Sequence, residues 1–277
     1  MTYLYSAILG LIQGVAEFLP ISSSGHLALF QQLFNLKSAE ETDVFFDVLL
    51  HLGTLISVFV YYWGDIWEMI LEFFRFIRDL ATGQHTDRVP PARRMILLMI
   101  VGTLPLFLIL PIKSRIEALN NYPLAIGFAL LVTGTLLFVS DRLAKGRKDE
   151  RSATIVDCLL VGCGQAVATI PGLSRSGTTI AVGLLRGYDR DFAVRYSFLL
   201  SLPAVIGANI LSIGDAVEAG IDTSLLPIYA VGVVIAAVSG YFAIRLVNLL
   251  TDKGKFGGFA YYCWGVGLLA VLLAVAL

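Results

Sequence analysis

Two apolar segments of this chain are broken near their middles by residues that hydrocarbon does not tolerate. In the first, EFLPISSSGHLALF from Glu17 to Phe30, a carboxylate, three serines and a histidine crowd together. In the second, TIPGLSRSGTTIAVGLL from Thr169, an arginine stands among serines and threonines. Irregular backbone at membrane depth is tolerated only where it is buried in protein or lines a polar cavity. The breaks therefore call for a bundle that encloses them and sets them facing each other.

Composition places the chain in a membrane. Its 277 residues are 57% hydrophobic and 15% charged, with a mean hydropathy of +0.80, whereas soluble domains carry about a quarter charged residues. The expected fold class is an all-α polytopic membrane protein. Six stretches, at about 43–63, 93–111, 122–140, 192–212, 226–247 and 257–276, approach the ~20 apolar residues that cross ~30 Å of hydrocarbon. Residues 64–90 read as an interfacial amphipathic helix and a loop, because Glu68, Glu72, Arg75 and Arg78 disfavour a longer span. The broken segments, 3–34 and 153–186, have arms too short to cross alone and read as re-entrant helix–turn–helix hairpins. The N-terminal apolar stretch lacks a basic n-region and an A-x-A-like site, so no cleavable signal peptide is expected. Cys158, Cys163 and Cys263 lie in apolar segments and read as small core residues, not a disulfide framework.

Charge and repetition orient the elements. With three spans between the hairpins, sixteen of the twenty lysines and arginines fall on one face. Lys37, Lys113 and Arg115 fall on the other, and Arg175 lies inside the second hairpin. By the positive-inside rule both termini lie outside the cytoplasm. The first hairpin then enters from outside and the second from the cytoplasm. Sliding the second broken segment onto the first by 152 residues pairs Gly10 with Gly162, Gln13 with Gln165, Ser22 with Ser174, Ser24 with Ser176 and Gly25 with Gly177. The chain reads as one integral membrane domain, 1–277, built from inverted repeats at about 1–140 and 150–277. Interrupted segments at corresponding positions of inverted halves point to a midplane site.

The halves differ where chemistry needs a difference: Glu17 pairs with Thr169, Ser23 with Arg175, and His26 with Thr178. Glu17, four residues after Gln13 on one helix face, reads as a base or, with Gln13, as a ligand for Mg²⁺ or Ca²⁺, which favour carboxylates beside substrate phosphates. The structural alternative is Glu17 as helix glue. Ser22, Ser23 and Ser24 precede a helix that one of them caps, and SRSGTT, with Ser174 and Ser176, repeats that geometry. Two helix N-termini and the Arg175 fork then converge on one anion. A plain Arg175–Glu17 ion pair is the alternative. Ser23 and His26 outline an activated nucleophile and its base, with His26 as the nucleophile itself in the rival assignment. His51, within a span, reads sooner as a histidine bonded to a neighbouring helix than as a cavity residue. His85, in the loop, reads as irrelevant.

QGVAEFLPISSSGH (13–26) and PGLSRSGTT (171–179) resemble the motifs of the integral-membrane undecaprenyl-diphosphate phosphatases, also called bacitracin-resistance proteins. The likeness extends over essentially the whole chain, with Gln13 where many members carry glutamate. It implies hydrolysis of a polyprenyl diphosphate to the monophosphate and phosphate, recycling the carrier lipid for cell-wall synthesis. It also implies dependence on a divalent cation, a bacterial inner-membrane location and an active site open toward the periplasm. Glu17, Ser23, His26, Ser174, Arg175 and Thr179 would be functional, with Gln13 supporting. The expected partners are a polyprenyl diphosphate and the membrane, not nucleic acid, and a homodimer is compatible with the sequence. The rival reading is an inverted-repeat transporter or flippase for a phosphorylated lipid.

Overall fold

The computed structural model describes residues 1–33, 44–83, 89–219 and 222–276. Lys37, His85 and Arg88 lie outside the described residues, as does most of the loop expected before Pro90. Among those described the fold is helical throughout, with one isolated bridge between Lys148 and Tyr188 and no strand. The helices are α1 (Tyr3–Phe18), α2 (Ser23–Leu33), α3 (Val44–Tyr61), α4 (Trp63–Thr82), α5 (Pro91–Thr103), α6 (Lys113–Glu117), α7 (Pro123–Leu143), α8 (Ile155–Val167), α9 (Arg175–Leu185), α10 (Arg190–Ala219), α11 (Leu226–Asp252) and α12 (Phe259–Ala276). Short 3₁₀ turns carry the chain from α5 to α7 on either side of α6.

Five stretches are long and apolar enough to cross a membrane: Pro91–Asn121, Pro123–Leu143, Arg190–Gly214, Thr223–Asp252 and Phe256–Val275. They contain, to within a residue, the five later spans expected from sequence. The remaining one corresponds to α3, which passes only together with α4, and the two are bent by 84°. The bend has a compositional reason. Helix α3 is almost wholly apolar, whereas α4 buries Ile66, Met69 and Glu72 and turns aromatic residues and charges outward. That distribution suits a helix lying along an interface.

The two broken segments appear as α1–α2 and α8–α9. At 1.5 Å per residue, α1 is about 24 Å long and the other three about 16–20 Å, all short of the ~30 Å a span requires. Close backbone contact fixes them in the bundle. A Cβ on Gly10 of α1 would collide with the Gly232 carbonyl of α11, and one on Gly162 of α8 with the Gly102 carbonyl of α5. Small residues permit such approaches where helices meet in lipid. Residues paired by the repeat thus meet their neighbours in the same way.

The basic-rich regions join in a set of ion pairs. Arg93 bridges Glu72 and Asp79, Lys148 and Arg186 share Asp157, Arg190 pairs with Asp141, and Arg195 spans Asp65 and Glu150. These tie α4, α5, α7, α8, α9, α10 and the 144–154 connection together. Beneath them lies an aromatic core of Tyr62, Tyr188, Phe192, Tyr196 and Phe198. Phe18, the last residue of α1, meets Phe198 edge-on at 5.5 Å and so anchors the first break to α10.

Candidate active site

Helix α1 carries Gln13 and Glu17 one turn apart, both buried. At its end Leu19 is extended, as a residue before proline prefers, and the chain leaves the helical path. Ser22 then adopts a left-handed φ of 70°, the one non-glycine residue described that does so. Such a conformation costs on the order of 1–3 kcal/mol and persists only where its surroundings enforce it. Here the Ser22 carbonyl accepts from the His26 amide at 3.2 Å and from His26 Nδ1 at 2.8 Å. Since a carbonyl only accepts, Nδ1 carries the proton.

The second break is built by other means. Its left-handed position is Gly172, with φ 92°. Ser174 caps α9 by accepting the Gly177 amide at 3.1 Å. From α7, Thr133 donates to the Gly172 carbonyl at 3.2 Å and accepts the Ser174 amide at the same distance.

The two breaks touch reciprocally. A Cβ on Gly25 would lie 2.9 Å from the Gly172 Cα, and one on Gly177 would lie 3.0 Å from the Pro20 Cβ. Across this junction Glu17 is the hub. Arg175 Nη2 pairs with Glu17 Oε1. Glu17 Oε2 accepts from Ser23 Oγ at 3.0 Å and from Gln13 Nε2 at 3.2 Å. Gln13 Nε2 also reaches His51 Nδ1 at 3.2 Å, and His51 stands 4.0 Å from Glu17 Oε1.

This cluster forms the polar end of a cavity of about 730 Å³. Glu17, Ser22, Ser23, Ser24, His51, Ser174 and Arg175 line that end; Leu106, Phe107, Leu110, Ile210 and Leu211 line apolar parts of its wall. The N-termini of α2 and α9 begin at Ser23 and Arg175, beside it, so two positive helix ends and a guanidinium face one space. The Arg175–Glu17 ion pair, weighed from sequence as an alternative to anion binding, is present, and the Arg175 side chain remains about a quarter exposed, at 27%. It holds the carboxylate and lines the cavity together.

Three expected site residues lie elsewhere. His26 Nε2 meets the Tyr262 hydroxyl at 2.9 Å, and the rings stack at 5.5 Å. With Nδ1 on the Ser22 carbonyl, both its nitrogens are engaged away from Ser23. Ser176 Oγ meets Ser174 Oγ at 3.3 Å and the Leu19 carbonyl at 3.4 Å. Thr179 donates back to the Arg175 carbonyl at 2.9 Å and contacts Ser197. Neither of these hydroxyls lines the large cavity. Conversely, His51 lines it as well as bonding a neighbouring helix. Sequence reasoning weighed both roles and preferred the second, because nothing in a lone mid-span histidine says which way it faces.

The metal expectation meets a donor set of limited reach. No group of three or more His, Cys, Asp or Glu side chains able to hold an ion occurs among the described residues. The Glu17 carboxylate already accepts from three donors, and Gln13 presents its NH₂ group toward it. These residues do not form a self-contained metal cage. Of the two, only Glu17 has a carboxylate, so a cation held there would need further ligands from outside the pair, such as phosphate oxygens.

The family model of the bacitracin resistance protein BacA matches residues 6–269 of this chain. The chain belongs to the BacA family. Relatives of this BacA-family chain span its whole length. The undecaprenyl-diphosphatase of Alkaliphilus metalliredigens is 40% identical over 276 residues, covering 99% of this chain and all of the relative. That of Methanosphaera stadtmanae is also 40% identical, over 280 residues and 99% of both chains. Undecaprenyl-diphosphatase 4 of Bacillus thuringiensis subsp. konkukian is 39% identical over 274 residues, 99% of this chain and 98% of its own.

Proposed function

We propose that the protein hydrolyses undecaprenyl diphosphate to the monophosphate and inorganic phosphate, in the membrane, as its BacA-family relatives' names indicate. The observation that carries the reading is the contact of Ser23 and Arg175, from two different breaks, with one carboxylate at the polar end of a large, mostly apolar cavity. A diphosphate head fits the charged end and an isoprenoid tail the apolar wall.

The chemistry follows from these contacts. Ser23 Oγ attacks the terminal phosphorus and its proton passes to Glu17 Oε2, the acceptor it already faces. The bridging P–O bond breaks, and the lipid monophosphate leaves as an anion that needs no proton. Water then cleaves the phosphoserine, restoring the hydroxyl and releasing phosphate. Arg175 and the two helix ends offset charge on the transferring group, and such transfer is mostly positioning and charge stabilisation. Glu17 takes the proton-accepting role that the sequence suggested for His26. His26, bonded to the Ser22 carbonyl, holds the strained turn that aims Ser23. Ser174 faces the substrate phosphate, while Ser176 and Thr179 brace α9 behind it.

A divalent cation, Mg²⁺ or Ca²⁺, would arrive on the diphosphate and meet Glu17, offsetting further phosphate charge when bound. The architecture we favour has six spans, α3 among them, and α1–α2 and α8–α9 as re-entrant hairpins of an inverted repeat. Support comes from their short arms and from the matching Gly10–Gly232 and Gly162–Gly102 contacts. The charge asymmetry supports termini on the periplasmic side of the inner membrane, and the resemblance to the family implies a cavity mouth on the same side. A carboxylate aimed at a serine hydroxyl is superfluous for a flippase, which makes hydrolysis the stronger reading. The test is phosphate release from undecaprenyl diphosphate by purified protein with Mg²⁺, beside an Arg175→Ala control and an EDTA-treated sample. Release by the native protein alone supports it; release surviving in the Arg175 variant contradicts it.

A further inference from the structure

Gln165 is the repeat counterpart of Gln13, yet the two amides live differently. Gln13 serves Glu17 and His51. The same offset of 152 residues puts Thr169 where Glu17 stands and Pro203 where His51 stands. Thr169 spends its hydroxyl on the Ala166 carbonyl, and the Pro203 side chain has nothing to offer. Both partners of the glutamine are therefore gone from the second copy, but the glutamine has stayed. Its residue is only 1% exposed, and neither Nε2 nor Oε1 has a hydrogen-bond partner. A fully orphaned amide in a protein interior is costly, and a native one calls for an explanation.

Helix α10 carries a second orphan. Asn209 of α10 is buried with its Nδ2 unpartnered. Gln165 and Asn209 line the same cavity as Arg175 and Ser23. Asn209 is followed on α10 by Ile210 and Leu211, which line that cavity too and are largely exposed. The amides thus share one cavity with the charged cluster and with apolar side chains.

We propose that Gln165 and Asn209 form an uncharged second station that holds the lipid-linked phosphate, the phosphate monoester remaining after cleavage. This rests on the function proposed above. The charged cluster takes the terminal phosphoryl group, so the phosphate esterified to the tail needs donors between that cluster and the apolar wall. Amide N–H groups bind its oxygens without charge, and the Gln165 carbonyl accepts from a protonated one. Neutral donors hold a leaving group less tightly than a second guanidinium would, which suits a site that must release its product.

The test is calorimetric binding of farnesyl monophosphate to the full-length protein in detergent, for the native chain and for Gln165→Leu, Gln165→Met and Asn209→Leu. Inorganic phosphate inhibition and thermal unfolding are measured beside it. Each substitution is expected to weaken farnesyl monophosphate at least tenfold and to leave phosphate inhibition within twofold. Gln165→Leu is expected to unfold at a temperature equal to or above that of the native chain, since it removes two orphaned atoms from the interior. Unchanged farnesyl monophosphate affinity overturns the proposal, as does no binding by the native chain. A lowered unfolding temperature with both ligands weakened equally also overturns it, by making Gln165 a packing residue. Gln165-dependent binding in a protein that releases no phosphate from undecaprenyl diphosphate would leave this station standing and remove the hydrolytic function instead.

Discussion

At the scale of single residues, Glu17 carries the most. Glu17→Gln keeps an acceptor for Ser23 but takes the charge that receives its proton and pairs with Arg175. Its kcat is expected to fall by about 10²–10⁴, the usual contribution of a positioned base, with the protein still folded in detergent. His26 separates two roles. An asparagine places its amide nitrogen where Nδ1 sits, so His26→Asn is expected to stay within about tenfold of native turnover while His26→Ala loses more; equal loss in both would return His26 to the chemistry. Much of this site was legible in the sequence, because Glu17, Ser23 and Arg175 are ionisable or nucleophilic groups in apolar runs. The partnerships were less so. Whether Ser23 faces Glu17 or His26 depends on the left-handed turn at Ser22, and a serine advertises no positive φ.

At the scale of elements, the junction of the two breaks depends on glycine. A methyl group at Gly25 meets the backbone of Gly172 at 2.9 Å, where no flexible side chain is available to yield. Gly25→Ala is expected to cost about 1–3 kcal/mol, as overpacking does, and to lower turnover by parting Ser23 from Arg175. Gly64→Ala, with nothing within 4 Å of the added carbon, is the control and should lower neither; thermal unfolding and phosphate release check both. The break positions were readable because proline and small polar residues interrupt apolar runs. The 84° turn between α3 and α4 was foreshadowed by charges in the second helix. The reciprocal Gly25–Gly172 and Gly177–Pro20 contacts were not, since repeat offset pairs equivalent residues and says nothing of which non-equivalent ones touch.

At the scale of the whole molecule, the proposed arrangement has a sidedness and a centre. The basic-rich regions carry several separate ion pairs, and Tyr122, between the turns after α6 and the start of α7, is exposed. Lys145→Cys is expected to react with an impermeant thiol reagent only from the cytoplasmic face and Tyr122→Cys only from the periplasmic face, in a background lacking the native cysteines. The reverse pattern would invert the topology. The centre is the meeting of two breaks from different halves around a single diphosphate. A double-mutant cycle on phosphate release from undecaprenyl diphosphate tests it most directly, with Ser23→Ala, Arg175→Ala and the pair together. Each single variant is expected to lose about a thousandfold or more in kcat/KM, and the double variant to be no worse than the poorer single one, because both groups serve one phosphoryl transfer. Losses that multiply in the double variant, or an Arg175→Ala protein as active as the native one, would contradict it.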